Sequence, residues 1–317
     1  MQHVAGGTHA WVPPRGGWGH SNTGLIVGEG ASLLVDTLFD RPRTEAMLGQ
    51  MAPHHEGAPI TVAVNTHGNG DHWFGNGVLH ADVEIVASAA SVLDMEAVGP
   101  ATVASLPGIP GPIGAFTASC FGDFAIAELV EDPPRLPGTT FTGSRELSVG
   151  GVEVLLLDLG PAHTRGDTVV VCPRDGVVLA GDLVFAEGTP IMWEGPVERW
   201  IEACTRLRAL GADHGITQVV PGHGPVLPLA RVGEMADYLS FVAEEAGERH
   251  ARGLTVEEAA RDIDLGPFAH LPESERLAAN VLAIYRQLEG GPAPTGPEMF
   301  GCMAQWARAT AGAEEGE

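Results

Sequence analysis

The feature that most constrains this chain is a His-x-Asn-x-Asp-His motif that directly follows a short apolar run. Residues 60–64 read Ile-Thr-Val-Ala-Val, and this density of β-branched side chains predicts a buried strand. Alternate positions of an extended turn point the same way, so the first three polar side chains of the motif can share one face. Imidazole together with carboxylate suits zinc or iron. The motif therefore predicts a metal site at a strand end, formed by His67, Asn69, Asp71 and His72.

Three further loops repeat this pattern, because each follows an apolar run, contains glycine and carries one candidate ligand. The candidates are His163 in Gly-Pro-Ala-His-Thr-Arg-Gly-Asp, Asp182 in Leu-Ala-Gly-Asp and His223 in Val-Pro-Gly-His-Gly. A lone histidine is more often structural than a ligand. Four such loops together indicate a ligand cluster at one end of the sheets. Within the motif we expect Gly68 and Gly70 to permit close approach to a metal and unusual backbone angles.

The remaining elements predict a layered α/β domain. Apolar runs predict a hairpin over residues 24–37 and strands at 60–64, 83–86, 152–157, 168–172, 177–180 and 218–220. Helical patterns cover 42–51, 88–97, 197–210, 228–250, 255–262 and 272–289. Because the strands come in two groups, each followed by helix, they favour two packed sheets with helices outside.

Two segments do not follow this alternation of predicted strands and helices. Residues 98–140 are rich in proline and glycine, and we interpret them as an irregular lid or pocket wall. Residues 293–317 predict one short helix and a flexible acidic tail. The domain prediction is thus residues 1–226 for the α/β domain, with residues 227–317 as helices packed on it.

The order of the four loops resembles that of the metallo-β-lactamase superfamily. The resemblance spans roughly residues 20–226, and Val35-Asp36-Thr37 is similar to the second strand of that family. It implies a four-layer αββα sandwich with a C-terminal helical extension and a two-metal site in the groove between the sheets. By this resemblance His67, position 69 and His163 hold one metal, Asp71, His72 and His223 hold the second, and Asp182 bridges the two.

The chain differs from the motif of that family at position 69, where the family usually has histidine and this chain has Asn69. A carboxamide oxygen is a poorer zinc ligand than imidazole. Three readings stay open: Asn69 ligates weakly, the first metal position is empty, or the metal is iron or manganese. We expect Zn²⁺ as cofactor, in one or two ions, with Fe or Mn as alternatives.

The expected chemistry is attack by metal-bound hydroxide, since a metal lowers the pKa of bound water to about 7. Asp71 is the predicted catalytic residue, because it could position or deprotonate that nucleophile. We expect Thr164, Asp167 and Asn22 to support the ligands. The candidates for binding substrate are Trp18, His20, Asn22, Trp73 and Trp193.

Four functions compete. The first is a hydrolase acting on an ester, thioester or lactone- or lactam-type bond of a small molecule. The second is a cyclase or thioesterase of bacterial secondary metabolism, similar to polyketide cyclases, which a lysine-free composition of high-GC type favours. The third is an iron redox enzyme, and the fourth is a non-catalytic binding module.

The amino-acid composition disfavours several classes of binding partner. The formal net charge is −24, and all 17 basic residues are arginines, so nucleic acids and anionic membranes are disfavoured as partners and lysine Schiff-base chemistry is excluded. The four cysteines are widely spaced, which suits a reducing cytoplasm. The absence of a long apolar run or a signal-like N-terminus agrees with that location. A homodimer is left open.

Overall fold

The computed structural model describes residues 1–314, with side chains described to residue 310. Its strands form a seven-stranded sheet in the order β1 to β7 and a six-stranded sheet in the order β13-β12-β11-β10-β9-β8. The first sheet comprises β1 (Gln2–Ala5), β2 (Thr8–Trp11), β3 (Thr23–Val27), β4 (Ser32–Val35), β5 (Ile60–Val64), β6 (Glu84–Ser88) and β7 (Thr139–Phe141). The second comprises β8 (Ser144–Val149), β9 (Val152–Asp158), β10 (Thr168–Cys172), β11 (Val177–Phe185), β12 (Gln218–His223) and β13 (Leu227–Pro228).

Both sheets are mixed; the first has antiparallel strands at one side and parallel strands at the other, and the second has a parallel pair flanked by antiparallel strands. Strands β1 to β4 pair antiparallel, whereas β4 to β7 are parallel. In the second sheet only β11 and β12 pair parallel, and helix connects them. Because parallel neighbours end at the same edge, the loops after β5, β11 and β12 can converge.

The helices cover the outer faces. They are α1 (Arg41–Met51), α2 (Ala89–Ala97), α3 (Pro100–Ser105), α4 (Pro112–Phe121), α5 (Val197–His214), α6 (Val232–Ala251), α7 (Val256–Asp262), α8 (Arg276–Leu288) and α9 (Gly296–Glu314). Helix α1 begins at an Asp40 cap, whose carboxylate accepts the backbone N–H of Arg43. No helix in the described part of the chain is both long and apolar enough to cross a membrane.

The core is layered in the same way. Between the sheets, Val35 and Val64 of the first sheet pack with Val170, Leu179 and Val220 of the second in one buried cluster. A larger cluster lies between the second sheet and helices α5, α6 and α8, and a smaller one lies between the first sheet and α1. The predicted α/β sandwich with additional C-terminal helices is confirmed.

Two segments differ from the sequence-based prediction. Residues 98–140 are not irregular, because they contain α3 and α4; Pro100 and Pro112 each lie in the first turn of a helix, where a missing N–H costs nothing. Helix α9 is longer than the short helix expected there. The tail predicted to be flexible falls mainly outside the described residues, so that prediction has no structural counterpart.

Candidate metal centre

The structure brings the four predicted loops together at one edge of the sandwich. The motif at residues 67–72 follows β5, His163 lies in the loop before β10, Asp182 lies within β11, and His223 ends β12. Pairing between the parallel strands β11 and β12 places their ligand-bearing segments side by side, with Phe185 opposite His223.

Asp182 lies at the centre of the cluster. Its carboxylate oxygens are 3.1 Å from His72 Nε2, 3.2 Å from His223 Nε2, 3.4 Å from His163 Nε2 and 3.8 Å from His67 Nε2. Four imidazoles thus present the same ring atom to one carboxylate. This is the arrangement expected of a residue shared between two metal positions.

Asp71 completes a second group. Its Oδ2 is 3.5 Å from His223 Nε2 and 3.8 Å from His72 Nε2. The side chains form two sets whose ligand atoms lie close enough to hold a metal ion: His67, His163 and Asp182 in one, and Asp71, His72 and His223 in the other.

Two of the imidazoles are oriented by backbone carbonyls. His163 Nδ1 donates to the carbonyl oxygen of Ile191 at 2.7 Å, and His223 Nδ1 donates to that of His20 at 3.0 Å. A carbonyl only accepts, so in both rings the proton is on Nδ1. The Nε2 lone pair is therefore free to bind a metal.

The other two imidazoles are oriented through Asp36. His72 Nδ1 lies 2.9 Å from Asp36 Oδ2, and the same carboxylate accepts from the Thr66 hydroxyl. Because that hydroxyl donates to Asp36, it accepts from His67 Nδ1, 3.0 Å away. One buried carboxylate thus fixes the tautomers of both motif histidines.

Sequence reasoning did not identify Asp36 as a functional residue. Its backbone is left-handed, with φ of 64°, an unusual conformation for a side chain other than glycine. The available signal was its place at the end of β4, the strand next to the motif-bearing β5.

Unpartnered polar atoms test whether a cation fits this centre. His67 Nε2, His72 Nε2 and Asp182 Oδ1 are buried without a hydrogen-bond partner among the described residues. Buried polar atoms in native proteins are rarely left without one. Both imidazole nitrogens lie within 4 Å of the Asp182 carboxylate, and imidazole nitrogen with carboxylate oxygen is a donor set for zinc and similar metals. The residues therefore fit a metal ion.

The pKa shifts agree with this fit. Burial lowers the pKa of His67 well below its usual value and that of His163 to about 4, so both rings are neutral, the state that binds metals. Burial also disfavours charge on His72, but the carboxylates of Asp182 and Asp71 outweigh it and raise its pKa. Without a cation the carboxylates draw a proton to that ring, and a metal would supply the same positive charge.

Asn69 also reaches the centre, in an unexpected role. Its side-chain nitrogen lies 3.2 Å from His163 Nε2. Since His163 carries its proton on Nδ1, the Asn69 amide donates to the Nε2 lone pair. In this arrangement the amide competes with a metal for His163.

Thr164, Asp167 and Asn22, expected from the sequence to support the ligands, form hydrogen bonds that hold the ligand-bearing loops. Thr164 donates from its backbone N–H and its hydroxyl to Asp167, which closes the turn after His163. Asn22 donates to the carbonyl oxygens of Pro221 and Gly224 and so holds the loop that carries His223.

A cavity of about 450 Å³ opens beside the centre. Trp18 and Trp193 line it, together with Asn69, Asp71 and Asp182. The remaining wall is mostly apolar: Phe39, Val98, Val103, Leu106, Ile109, Phe121, Phe185, Ile191 and Phe300. Several of these belong to residues 98–140, so that segment forms part of the cavity wall, whereas its role as a movable lid stays a prediction.

Three predicted substrate-binding residues do not line this cavity, which corrects their expected position. Trp73 is buried, with its indole N–H donating to the carbonyl of Gly68. Asn22 is buried against the His223 loop. His20 packs its ring on Phe124 and contributes its carbonyl, not its imidazole, to the centre.

Gly68 and Gly70 are required for a reason other than the one expected from the sequence. Neither has a positive φ. A Cβ at Gly68 would contact Asp94 at 2.5 Å, and one at Gly70 would contact Phe74 at 2.6 Å. The motif needs glycine because neighbouring side chains pack directly on its backbone, rather than because a metal approaches it.

Two mixed sheets with outer helices, and imidazole and carboxylate side chains gathered at one edge, define an α/β sandwich with a candidate metal centre. Within that class the chain belongs to the metallo-beta-lactamase superfamily, whose sequence model matches residues 16–223.

Individual relatives agree with this assignment. A hydroxyacylglutathione hydrolase of Methylococcus capsulatus is 26% identical over 188 residues, which are 59% of this chain and 56% of that protein. The match thus spans little more than half of that relative. A metallo-beta-lactamase from Pontibacter korlensis superposes with a TM-score of 0.51 at 20% identity, covering 69% of this chain and 87% of that one. An inverting sec-alkylsulfatase from Pseudomonas sp. gives 0.60 at 17% identity, covering 84% and 47%. At such identities the two structures show the fold alone.

Proposed function

We propose that this chain is a metal-dependent hydrolase that cleaves an ester, thioester or lactone- or lactam-type bond of a small molecule. One observation carries the proposal: four imidazoles, each fixed through Nδ1, direct Nε2 towards Asp182 at the wall of a largely apolar cavity. A cavity of about 450 Å³ suits a small molecule.

The proposed metal ligands are the two sets around Asp182. His67 and His163 belong to the first position, Asp71, His72 and His223 to the second, and Asp182 to both. Zinc is the proposed ion, with iron or manganese as alternatives that the same donors accept. When bound, such a metal supplies a water of lowered pKa and polarises a carbonyl oxygen.

The chain's own side chains complete the reaction. Asp71 lines the cavity, and its backbone carbonyl accepts from Ser21 Oγ, which fixes the carboxylate at the cavity wall. From there the carboxylate is positioned to take a proton from the attacking water. The aromatic wall binds the apolar part of the substrate and excludes bulk water from the bond to be cleaved.

The relatives support acyl transfer to water. An acylglutathione is a thioester, and the Methylococcus relative is named as a hydrolase of one. Only the composition of the chain favours the cyclase alternative, so a turnover screen decides between it and hydrolysis.

Two measurements test the proposal. Elemental analysis of protein purified without added metal should give at least about one transition-metal ion per chain. A turnover screen across thioesters, lactones and lactams should then find hydrolysis of at least one class, which a chelator abolishes and added metal restores.

A matched pair of variants separates the centre from general damage. His223→Ala removes a proposed ligand and should abolish turnover, whereas His80→Ala, at an exposed position on the surface, should leave it unchanged. Protein that folds but contains almost no metal would contradict the proposal. Full metal occupancy without hydrolysis of any substrate class would instead favour the cyclase.

A further inference from the structure

Arg276 is a buried guanidinium in the wall of the cavity. It is the first residue of α8, well beyond the part of the chain that matches the family model, and only 3% of its surface is exposed. It nevertheless lines the same cavity as Asp71 and Asp182. A charge so deeply buried is costly unless it is paired or has a ligand.

The protein uses only part of this group. Nη1 donates to the carbonyl oxygen of Thr189 at 2.7 Å and lies 3.4 Å from a carboxylate oxygen of Glu273. Nε is buried without a hydrogen-bond partner among the described residues. The guanidinium carbon lies 4.3 Å from the ring centroid of Trp18. Carbonyl, carboxylate and indole thus hold the group in place, and no hydrogen bond among the described residues uses Nη2, which is the donor left for a ligand.

The charges along the cavity wall indicate that this donor binds an anionic ligand. The described cavity wall carries two guanidinium groups, Arg165 and Arg276, and Arg165 is bound by Asp94 near the surface. The wall also carries four carboxylates, which repel an anion everywhere except beside an arginine: Asp71, Asp94, Asp182 and Glu194. In a chain of net charge −24, an anionic ligand is repelled unless a local cation offsets the field. Arg276 is the cation placed among the aromatic side chains, where low polarity strengthens a charged hydrogen bond.

Arg276 is also close to the metal centre. The guanidinium carbon is 5.7 Å from the ring centroid of Phe185. That ring stacks on the imidazole of His223, at 5.0 Å between centroids, and lies 5.7 Å from that of His163. A single aromatic ring therefore separates the cation from two proposed ligands.

We propose that Arg276 binds an anionic group, such as a carboxylate or sulfonate, on a substrate whose apolar part lies along Trp18, Trp193 and Phe300. This inference rests on the proposed function, because it takes the cavity as the substrate site. It assigns the substrate class: an amphipathic acyl compound with a negative charge that a short apolar segment separates from the bond to be cleaved. Arginine suits this role because its planar fork binds such groups through two parallel hydrogen bonds.

A binding measurement tests the inference without turnover. Isothermal titration of the metal-loaded protein compares hexane-1-sulfonate with hexan-1-ol, which have the same apolar chain. The sulfonate should bind at least about 10-fold more tightly, as expected for hydrogen bonds to a charged group. Equal affinities for the two compounds would overturn the proposal, with no variant needed. Inorganic sulfate that bound as tightly as the sulfonate would overturn the amphipathic class.

Variants assign the preference to one residue. Arg276→Gln retains a donor for Thr189 but removes the charge, and should reduce the sulfonate-to-alcohol preference about 10- to 100-fold. Arg276→Lys keeps the charge and should retain part of it. Arg231→Gln, at an exposed ion pair on the surface, controls for the loss of one positive charge and should retain all of it. If Arg165→Gln loses the preference and Arg276→Gln keeps it, the anion binds at Arg165, and the proposal for Arg276 is overturned.

Kinetics separate this inference from the hydrolase proposal. The p-nitrophenyl ester of hexanoate is compared with the p-nitrophenyl monoester of adipate, which carries a terminal carboxylate. The adipate ester should have the higher kcat/KM, and Arg276→Gln should remove that advantage chiefly through KM. Hydrolysis of both esters without preference would overturn only the inference about Arg276. Sulfonate binding by a protein that hydrolyses no ester, thioester, lactone or lactam would support Arg276 as an anion site and contradict the hydrolase.

Discussion

At the scale of single residues, we propose that Asn69 determines how many metal ions the centre holds. The resemblance to the superfamily predicts histidine there, and the structure shows an amide that donates to His163 Nε2. The first metal position therefore lacks one imidazole and has a second whose lone pair is already engaged. We expect the position formed by Asp71, His72 and His223 to fill first.

Asn69→His should raise the metal content by about one ion per chain, because it adds an imidazole and releases His163 Nε2. Elemental analysis after dialysis against limiting zinc measures this. Asn69→Ala is the control, since it releases His163 without adding a ligand and should give a smaller rise. Unchanged stoichiometry in Asn69→His would show that Asn69 does not limit occupancy.

Asp36 is the residue that positions both motif histidines. Asp36→Asn weakens the acceptor for His72 Nδ1 and for the Thr66 hydroxyl, so metal affinity should fall about 10- to 100-fold. Competition with a chelator measures the affinity. Asp175→Asn is the control. Asp175 lies in the turn after β10, and its carboxylate accepts from the Gly7 N–H and the Thr8 hydroxyl. This variant should leave metal affinity unchanged. An equal loss in both variants would mean that Asp36 acts only through stability.

Sequence signals at this scale are local, which explains what they revealed and what they missed. His67, His163 and His223 each stand in a recognisable strand-end loop. Arg276 has no such signal, because a basic residue at the start of a helix is ordinary and only the tertiary fold brings it to the cavity. Trp73 shows the converse: it adjoins His72 in sequence, yet its side chain turns away from the cavity.

At the scale of elements, the parallel pair β11–β12 determines how closely the ligand-bearing segments approach. A Cβ at Gly222 would overlap Asp182 Oδ1, so the closeness of the two strands depends on glycine at that position. The carboxylate that faces four imidazoles is thus placed by the backbone of the neighbouring strand.

Gly222→Ala should therefore displace Asp182 and reduce both metal content and turnover, the latter by about 100-fold for a displacement near 1 Å. Elemental analysis and kcat on the identified substrate are the readouts. Gly49→Ala serves as the control, because a Cβ there meets open space on helix α1, and it should stabilise the fold by about 0.5–1 kcal/mol. Normal metal content in Gly222→Ala would contradict this role of the glycine.

Elements with strong local patterns were predictable, and elements that depend on their neighbours were not. The bounds of β5 and β10 match the predicted strands, because both are continuous runs rich in β-branched residues. Strands β1 and β2 mix polar and apolar residues in four positions each, and they depend on their neighbours, because β2 pairs with the edge of β3 and β1 pairs with β2. In residues 98–140, the abundance of proline and glycine predicts irregular structure, whereas Pro100 and Pro112 begin helices.

At the scale of the whole molecule, one buried carboxyl should couple stability to pH. Burial raises the pKa of Asp167 to about 8, despite hydrogen bonds from Thr164, and the charges of Asp158 and Asp182 act in the same direction. An unfolded aspartate titrates near pH 3.9. Between about pH 4 and pH 8 the folded chain therefore holds the additional proton, so this group's contribution to the free energy of unfolding falls as pH rises.

Asp167→Asn removes this titration while keeping an acceptor for Thr164. The stability of the variant relative to the wild type should increase from pH 5 to pH 8, as measured by urea denaturation at equal metal content. Asp213→Asn, at an exposed position on α5, controls for the loss of one formal charge. A stability difference that does not change with pH would show that Asp167 is ionised in the folded chain.

The anchoring of the imidazoles has a thermodynamic consequence. His223 takes its orientation from the carbonyl of His20, about two-thirds of the chain away, and His163 takes its orientation from Ile191. A partly folded chain has the same histidines but not these acceptors, so it offers metal no comparable pocket. We therefore expect metal binding and the last stage of folding to form one linked equilibrium, in which each tenfold rise in free metal above the dissociation constant would add about 1.4 kcal/mol to global stability. The concentration of metal around the protein thereby becomes one of the variables that determine how much of it is folded.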